Sequence, residues 1–190
     1  FYPGMEGGTA IARVLFGDVN PGGKLPFTVA KDESDYPYFD RLATEVTYDR
    51  YHGYIRMDHN KKEAAFPFGY GLSYTQFTQD SMDIVTESDK IIASINVKNT
   101  GSRKGDQVVQ LYIGFDNSEV EREHKLLKGF ERVTLDPGES KRVSITCPYD
   151  KIRYYDPETE GWKLEKMEYQ IYIGSSSDEN DLIKSTFLIN

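Results

Sequence analysis

Apolar and polar residues alternate in five runs along the second half of the chain, from residue 91 to the C-terminal end. Alternation at period two places one face of a β-strand against a core. The alternating apolar positions are Ile91, Ala93, Ile95 and Val97, then Val109, Leu111 and Ile113, then Val143, Ile145 and Cys147, then Tyr169, Ile171 and Ile173, and finally Phe187 and Ile189. Turn residues such as Asp136-Pro137-Gly138 separate these runs. The pattern predicts a β-sandwich of roughly 100 residues with Greek-key connections, like an immunoglobulin-like or fibronectin type III domain.

A different pattern opens the chain. Ile11, Val14 and Leu15 have the i, i+3, i+4 spacing of a helix with one buried face, and Gly17 is placed to end it as a left-handed cap. Residues 24–29 alternate apolar and polar side chains, which predicts a short strand. A helix followed by a strand is typical of the end of an α/β layer, and this unit is too small to form a core of its own.

Residues 66–75, with the sequence FPFGYGLSYT, lie between these two patterns. If the segment is extended, its aromatic residues at 66, 68 and 70 share one face. Pro67, Gly69 and Gly71 then leave the other face nearly bare. We predict that a neighbouring element approaches this bare face closely and that the segment joins two structural units.

Composition limits the classes of function. Of 190 residues, 38% are hydrophobic and 13% aromatic, which is enough to fill a sandwich-sized core. The net charge of −8 disfavours binding to nucleic acid or to an anionic membrane. No apolar run approaches membrane-spanning length, and no signal peptide opens the sequence. Cys147, the single cysteine, cannot form an internal disulfide and is interpreted as a small core residue.

Aromatic side chains are dense in residues 30–65, a stretch with no regular pattern. They are Tyr36, Tyr38, Phe39, Tyr48, Tyr51 and Tyr54. Such rings could face carbohydrate, because a tyrosine offers an apolar face to C–H groups and a hydroxyl for hydrogen bonding. Packing of a long loop onto a neighbouring domain explains the same residues and is the simpler interpretation.

Several polar residues could carry chemistry, and each also has a simpler explanation. His52, Asp58 and His59 invite a metal site, but they lack the spacing and scaffold of one and are interpreted as solvated loop residues. Glu6 lies at the first turn of the predicted helix, where the helix dipole favours a carboxylate. Trp162, the only tryptophan, would either staple a hairpin or touch a ligand.

Two acidic clusters contain carboxylates close enough in sequence to resemble a catalytic pair. The clusters are Asp116, Glu119, Glu121 and Glu123, and Asp156, Glu158 and Glu160. Charge runs in loops are usually solvated surfaces, and we interpret both clusters in that way.

Five segments bring a family resemblance. They are YPGMEGGTAIARVLFGDVNPGGKLPFT (residues 2–28), YHGYIRMD (51–58), FPFGYGLSYTQF (66–77), VKNTGSRKGDQVVQLYI (97–113) and LLKGFERVTLDPGESKRV (126–143). Together they resemble the successive signatures of family 3 glycoside hydrolases, in the order found in the C-terminal part of the β-glucosidases and their relatives. Five ordered motifs over nearly the whole chain make the resemblance specific.

The resemblance implies an enzyme built from a (β/α)8-like barrel, an α/β sandwich and a fibronectin type III-like domain. Residues 1–65 would be the C-terminal remnant of the α/β sandwich with its exit loop, residues 66–75 the interdomain seam, and residues 76–190 the fibronectin-like domain. Because Phe1 is not an initiator methionine, we expect further residues to precede it. The segment at 51–58 departs from the family, which often has an aromatic pair where Ile55-Arg56-Met57 stands here.

The chemistry implied by the resemblance is hydrolysis of O-glycosidic bonds with retention, which needs a nucleophile and an acid/base carboxyl group. The family places both before residue 1, so we assign no catalytic residue, no substrate-binding residue, no metal and no cofactor in this chain. The expected partners are the barrel and α/β sandwich of the same enzyme and a β-glucoside or oligosaccharide, with neither nucleic acid nor membrane. Two alternatives stay open: a carbohydrate-binding or adhesion module without catalysis, and an enzyme of the same family acting on β-xylosides or N-acetylhexosaminides.

Overall fold

The computed structural model describes residues 3–190, so Phe1 and Tyr2, where the first motif begins, lie outside the described residues. The N-terminal part contains short elements joined by long loops. They are α1 (Gly7–Leu15), β1 (Val29–Ala30), a 3-10 turn (Glu33–Asp35), α2 (Gly53–Asn60) and β2 (Ala64–Phe66). β1 and β2 form a two-stranded antiparallel sheet. No helix among residues 3–190 is long and apolar enough to cross a membrane.

The remainder of the chain forms two facing antiparallel sheets and a small hairpin. The elements are β3 (Phe77–Thr86), β4 (Lys90–Asn99), β5 (Gly105–Gly114), β6 (Lys125–Leu135), β7 (Ser140–Pro148), β8 (Tyr154–Asp156), β9 (Gly161–Lys163), β10 (Glu168–Gly174) and β11 (Leu182–Leu188), with 3-10 turns at Tyr149–Ile152 and Glu179–Asp181. One sheet has the order β3-β4-β7 and the other β11-β10-β5-β6, while β8 pairs with β9. The chain changes sheet between β4 and β5, between β6 and β7, and between β7 and β10. This confirms the predicted β-sandwich with crossing connections.

The main core lies between the two sheets, and the five alternating runs supply most of it. Ile91, Ile95, Leu111 and Ile171 are completely buried there. Tyr169 stacks on Phe187 with ring centroids 5.2 Å apart at the β11 edge. Cys147 is also completely buried, which confirms it as a core residue, and burial raises the pKa of its thiol.

A second, smaller cluster covers the outer face of the four-stranded sheet. Tyr112, Tyr172 and Leu182 are buried there, and Tyr54 of α2 and Phe68 of the 66–75 segment pack on them. Because both faces of this sheet are covered at β5, residues 109–115 form a continuous buried run instead of an alternating one. The N-terminal part therefore shares a core with the sandwich.

Two long strands of the sandwich, β3 and β6, were not predicted, because irregularities break their alternation. β3 contains a register shift between Asp80 and Asp83, and Ser81 there has a φ of 56°. Before the shift, odd-numbered residues such as Phe77 face the core. After it, even-numbered residues such as Met82 face the core, so the apolar residues of β3 do not keep period two along the whole strand. β6 has a similar shift opposite residues 111–112 of β5.

The N-terminal predictions are partly wrong. α1 forms as expected, and Gly17 follows it with a φ of 81°, as a left-handed cap requires. However, Ile11 and Leu15 are exposed, so the apolar face of α1 is not covered within this chain. The strand predicted over 24–29 reduces to Val29–Ala30, because the preceding residues form an irregular backbone that pairs through Leu25 alone.

α2 was not predicted, since its sequence GYIRMDHN is mostly polar and shows no clear apolar stripe. Met57 is buried, Tyr54 contacts the sandwich, and the Arg56 side chain donates to the Asp35 carbonyl at 2.8 Å. The departure at Ile55-Arg56-Met57 is thus accommodated inside this helix. Tertiary contacts stabilise α2 more than its own sequence pattern does.

Candidate junction around residues 66–75

Residues 66–75, hereafter the junction segment, form a turn followed by an irregular stretch, so the predicted extended conformation is wrong. The Tyr70 N–H donates to the Pro67 carbonyl at 3.1 Å, and Gly69, at the third position of this turn, has a φ of 81°. A turn with left-handed backbone at that position favours glycine. The turn splits the aromatic side chains: Phe66 packs on Tyr70, whereas Phe68 packs on Tyr54 of α2.

The predicted close approach to the bare backbone is confirmed at two glycines. A Cβ atom on Gly69 would lie 2.3 Å from the amide nitrogen and oxygen of the Gln110 side chain. A Cβ atom on Gly71 would lie 2.3 Å from the carbonyl oxygen of Gly23. Both distances are shorter than any ordinary van der Waals contact, so neither position has room for a side chain.

Gln110 of β5 connects the junction segment to the sandwich. Its Nε2 donates to the Ser175 carbonyl at 2.6 Å and to the Gly69 carbonyl at 3.4 Å, and its Oε1 accepts from the Tyr112 hydroxyl at 2.6 Å. The side chain is almost fully buried. Burial raises the pKa of Tyr112, which keeps its hydroxyl protonated as a donor.

Asn99, at the end of β4, forms a second polar centre beside the segment. Its Oδ1 accepts from the Thr75 hydroxyl at 2.6 Å and from the Gly101 N–H at 3.1 Å. Its Nδ2 donates to the carbonyls of Arg103 at 2.7 Å and Leu135 at 3.1 Å. A completely buried amide with all four bonding positions in use fixes the local backbone without an unpaired polar group.

Asn20 joins the N-terminal part to the same place. Its Oδ1 accepts from the Tyr74 N–H at 2.8 Å and from the Ser73 hydroxyl at 2.9 Å, while its Nδ2 donates to the Lys104 carbonyl at 2.9 Å. Nearby, the Arg103 guanidinium donates to the Gly17 carbonyl at 3.1 Å. One asparagine therefore touches the N-terminal part, the junction segment and the sandwich.

A buried ion pair connects α2 to β6. Lys125 Nζ donates to Asp58 Oδ2 at 2.7 Å, and the Lys125 side chain is completely buried. Burial raises the pKa of the Asp58 carboxyl, and the nearby Lys125 ammonium opposes that shift. Beside the pair, the Tyr54 hydroxyl accepts from the Leu127 N–H at 3.0 Å, and burial raises the pKa of Tyr54 to about 12.

The structure does not assemble His52, Asp58 and His59 into a metal site. Asp58 pairs with Lys125, His59 stacks on Tyr51 with ring centroids 3.9 Å apart, and His52 precedes α2 as an exposed residue. Within residues 3–190, no group of three or more histidine, cysteine or carboxylate side chains could hold a metal ion.

The carboxylates of the two acidic clusters are spread over the surface, and those of Asp116, Glu121 and Asp156 are bonded to other side chains. Asp116 contacts His124, and the Glu121 carboxylate accepts from the Tyr51 hydroxyl at 2.5 Å. Asp156 accepts from Lys163, from Thr159 and from the backbone, and these bonds lower its pKa to about 2. A carboxyl held so firmly in its ionised form does not suit an acid catalyst.

Other candidate residues are placed as follows. Tyr155 and Trp162 pack edge to face across the β8–β9 hairpin with ring centroids 5.7 Å apart, which agrees with the first of the two alternatives for Trp162. Glu6 directly precedes α1 and makes no side-chain cap bond. The tyrosines of the irregular stretch divide, because Tyr54 is half-buried against the sandwich whereas Tyr38 is exposed.

Sequence reasoning missed the polar side chains that build this junction, chiefly the half-buried Asn20 and the buried Asn99 and Gln110. Asn20 and Asn99 belong to sequences that are typical of turns. Such sequences predict the local backbone conformation, but they do not identify a distant hydrogen-bond partner. Gln110 interrupts the otherwise apolar run of residues 108–113, and a buried polar residue in such a position is itself a sign of a specific contact.

Comparison with known proteins gives the following matches. Residues 1–74 match the Glycosyl hydrolase family 3 C-terminal domain, and residues 107–177 match the Fibronectin type III-like domain. A β-glucosidase of Kluyveromyces marxianus is 45% identical over an alignment of 186 positions that covers 94% of this chain and 22% of that protein. A xylan 1,4-β-xylosidase of Xylanibacter ruminicola is 35% identical over an alignment of 191 positions that covers 100% of this chain and 21% of that protein.

A solved structure agrees with these sequence matches. The crystal structure of the β-glucosidase from Kluyveromyces marxianus in complex with glucose has a TM-score of 0.89 at 43% identity, covering 97% of this chain and 23% of that chain. Among the similar curated proteins, the chain spans between 21% and 26% of their length.

Proposed function

Because this chain belongs to glycosyl hydrolase family 3, whose C-terminal domain its first 74 residues match, we propose that it is the C-terminal segment of a β-glucosidase-type enzyme. The enzyme would hydrolyse O-glycosidic bonds with retention, and this segment would support the domains that carry the chemistry. The observation that carries the proposal is the match to β-glucosidases in both sequence and structure over nearly the whole chain.

The proposed division follows the change in architecture along the chain. Residues 1–65 form the end of the α/β sandwich domain with its exit loop, 66–75 form the seam, and 76–190 form the fibronectin type III-like domain. The hydrogen bonds of Asn20, Asn99 and Gln110 support a rigid seam, since each joins backbone groups from separate parts of the chain.

The structural role rests on the uncovered apolar face of the N-terminal part. Leu15 and Phe16 are 73% and 85% exposed, and Leu72 of the junction segment is also exposed. Contiguous exposed apolar surface usually marks a site of contact with another protein surface. The remaining domains of the same enzyme are the proposed occupant of this face.

The catalytic groups would lie in those other domains. A retaining glycosidase needs two carboxyl groups about 5 Å apart, one to attack the sugar and one to exchange a proton. Some carboxylates of this chain are instead engaged in ion pairs, as Asp156 is with Lys163 and Glu165 is with Arg122. This supports a segment that contributes no nucleophile or acid/base.

Complementation tests the proposal. We expect this chain alone to show no hydrolysis of an aryl β-glucoside. A truncated Kluyveromyces marxianus β-glucosidase that lacks the matching segment should regain activity when it is produced together with this chain. Hydrolysis by this chain alone would contradict the assignment, and so would failure of the wild-type chain to restore activity.

A pair of variants tests the docking face. Phe16→Asp should reduce the restored activity, because it places a charge in the face proposed to dock. Phe130→Asp is the matched control: Phe130 is 67% exposed on the sandwich, and its replacement should leave the restored activity unchanged. Equal effects of the two variants would argue against this docking face.

Hydrolysis of a β-xyloside by the complete enzyme that contains this chain tests the second candidate function. The similarity to a xylan 1,4-β-xylosidase keeps this candidate open. The choice of sugar belongs to the catalytic domains, so this arm is read with the complete enzyme that contains this chain.

A further inference from the structure

His124 lies just before β6, where three segments of the chain meet. Its Nδ1 is 2.7 Å from Asp116 Oδ1, in the loop after β5. Its Nε2 is 3.1 Å from Glu179 Oε1, in the turn between β10 and β11. A neutral imidazole has one N–H group and can donate to only one carboxylate, whereas the protonated ring has two. Both contacts are hydrogen bonds only when the ring is protonated.

We propose that His124 is a pH-dependent clamp that fastens the loop of residues 115–124 to the turn of residues 175–181. The protonated ring donates to both segments at once. The neutral ring keeps one bond and faces the second carboxylate with a lone pair, so one side of the clamp opens. Histidine suits this role because an unperturbed imidazole gains its charge near pH 6.5.

The charges around the ring favour the closed form. The groups that face it are Asp116 in the loop, Glu179 in the turn, Asp58 on α2, Lys125 on β6 and Lys184 on β11, with the Tyr172 ring 5.9 Å away. Three carboxylates thus face two ammonium groups, and a protonated ring makes the cluster neutral. The hydrogen bond from Lys184 lowers the pKa of Glu179, which keeps that carboxylate ionised.

The clamp holds one wall of a cleft of about 550 Å³. Ser177, Glu179 and Asn180 of the β10–β11 turn form that wall, and Tyr54 and Met57 of α2 form the opposite one. Loss of the Glu179 contact would free the part of the turn around Glu179, whereas Ser175 and Ser177 stay bonded to the Gln110 side chain and to the Phe68 carbonyl.

The loop on the other side of the clamp also contacts the N-terminal part. The Arg50 guanidinium donates to the Glu121 carbonyl at 2.8 Å, and the Tyr51 hydroxyl donates to the Glu121 carboxylate. The clamp therefore sits where the N-terminal part, the loop and the sandwich touch. Its opening is expected to loosen this contact, but not the seam around Gln110.

Ring nitrogen NMR on this chain tests the proposal directly. The chain has three histidines, and the His124 signals are assigned by their absence in His124→Gln. We expect the His124 ring to carry two N–H groups at pH 5.5 and one at pH 8.5. Backbone amides of residues 115–124 and 175–181 should change with the same midpoint. A ring that is already neutral at pH 5.5, or amides that do not follow the ring, would overturn the clamp.

Thermal unfolding supplies an independent readout. As the pH rises from 5.5 to 8, the wild-type chain loses the second contact, and its Tm should fall by about 2–4 °C more than that of His124→Gln, which has no ring to titrate. His59→Gln is the matched control, because His59 faces a tyrosine ring and no carboxylate contact is found for it among the described residues. The same pH dependence in wild type and His124→Gln would overturn the proposal. If His124→Gln fails to fold, the wild-type NMR titration decides.

Discussion

At the scale of single residues, Gly69 of the junction segment and Gly138 of the sandwich have different physical reasons to be glycine. Gly69 combines a left-handed backbone with the close approach of Gln110. Gly138, in the turn between β6 and β7, has a similar φ of 76° but no heavy atom within 4 Å of its missing Cβ. The pair separates the cost of backbone strain from the cost of crowding.

We predict that Gly69→Ala destabilises the chain more than Gly138→Ala does. Gly138→Ala should cost about 1–2 kcal/mol, the usual penalty for an L-residue in left-handed backbone. Gly69→Ala should cost about 1–3 kcal/mol more, because the Gln110 amide is held by Tyr112 and Ser175 and cannot move aside freely. Urea unfolding measures both. Equal costs would mean that Gln110 yields and that the close approach is not important for stability.

At the scale of elements, α2 is held to the sandwich by the buried pair of Asp58 and Lys125. A buried charge that loses its partner is costly, whereas replacing both partners by apolar groups of similar volume is often neutral. The geometry here is favourable at 2.7 Å, and the exposed fraction of the Lys125 side chain is zero. The pair is therefore expected to specify where α2 docks more than to add net stability.

We predict a strongly non-additive double-mutant cycle for this pair. Asp58→Leu leaves a buried ammonium and Lys125→Met leaves a buried carboxylate, so each should lower the free energy of unfolding by about 3 kcal/mol. The double variant should lie within about 1 kcal/mol of wild type. The measurement is chemical denaturation of the four proteins at one pH. Additive single effects would show that the two charges do not act as a pair.

The elements also show what the sequence could predict. β4, β5, β7, β10 and β11 were predicted because each keeps at least one face in strict alternation. β3 and β6 were not, because register shifts move their apolar residues to the other parity. α2 has no apolar stripe, since only contacts with distant residues give it a buried side. Glycines at 69 and 71 indicated a close approach, but no local pattern could name Gln110 or Gly23 as the neighbours.

At the scale of the whole molecule, buried apolar side chains are concentrated in the sandwich. Met57 is the one hydrophobic residue that is buried in the part described from residue 3 to residue 90. The N-terminal part therefore depends on its contacts with the sandwich and, in the proposed enzyme, on the other domains. The apolar face of α1 is not covered by the sandwich, so in this chain it remains exposed.

We predict a gradient of hydrogen-exchange protection along the chain. Amides of β4, β5 and β10 should exchange at least about 1,000-fold more slowly than those of α1, because they open only with the whole sandwich. α2 should be intermediate, held by Tyr54 and Asp58. Mass spectrometry of peptic peptides measures this order. Equal protection of α1 and β5 would show that the N-terminal part folds cooperatively with the sandwich.

The reactivity of Cys147 reports how often the core of the sandwich opens. It is the only thiol in the chain, it is completely buried in β7, and the raised pKa of its thiol leaves little thiolate to react in the folded state. A thiol reagent can therefore modify the protein only as fast as the two sheets separate. The rate of that reaction therefore measures how fast the core opens, and no other thiol in the chain contributes to the signal.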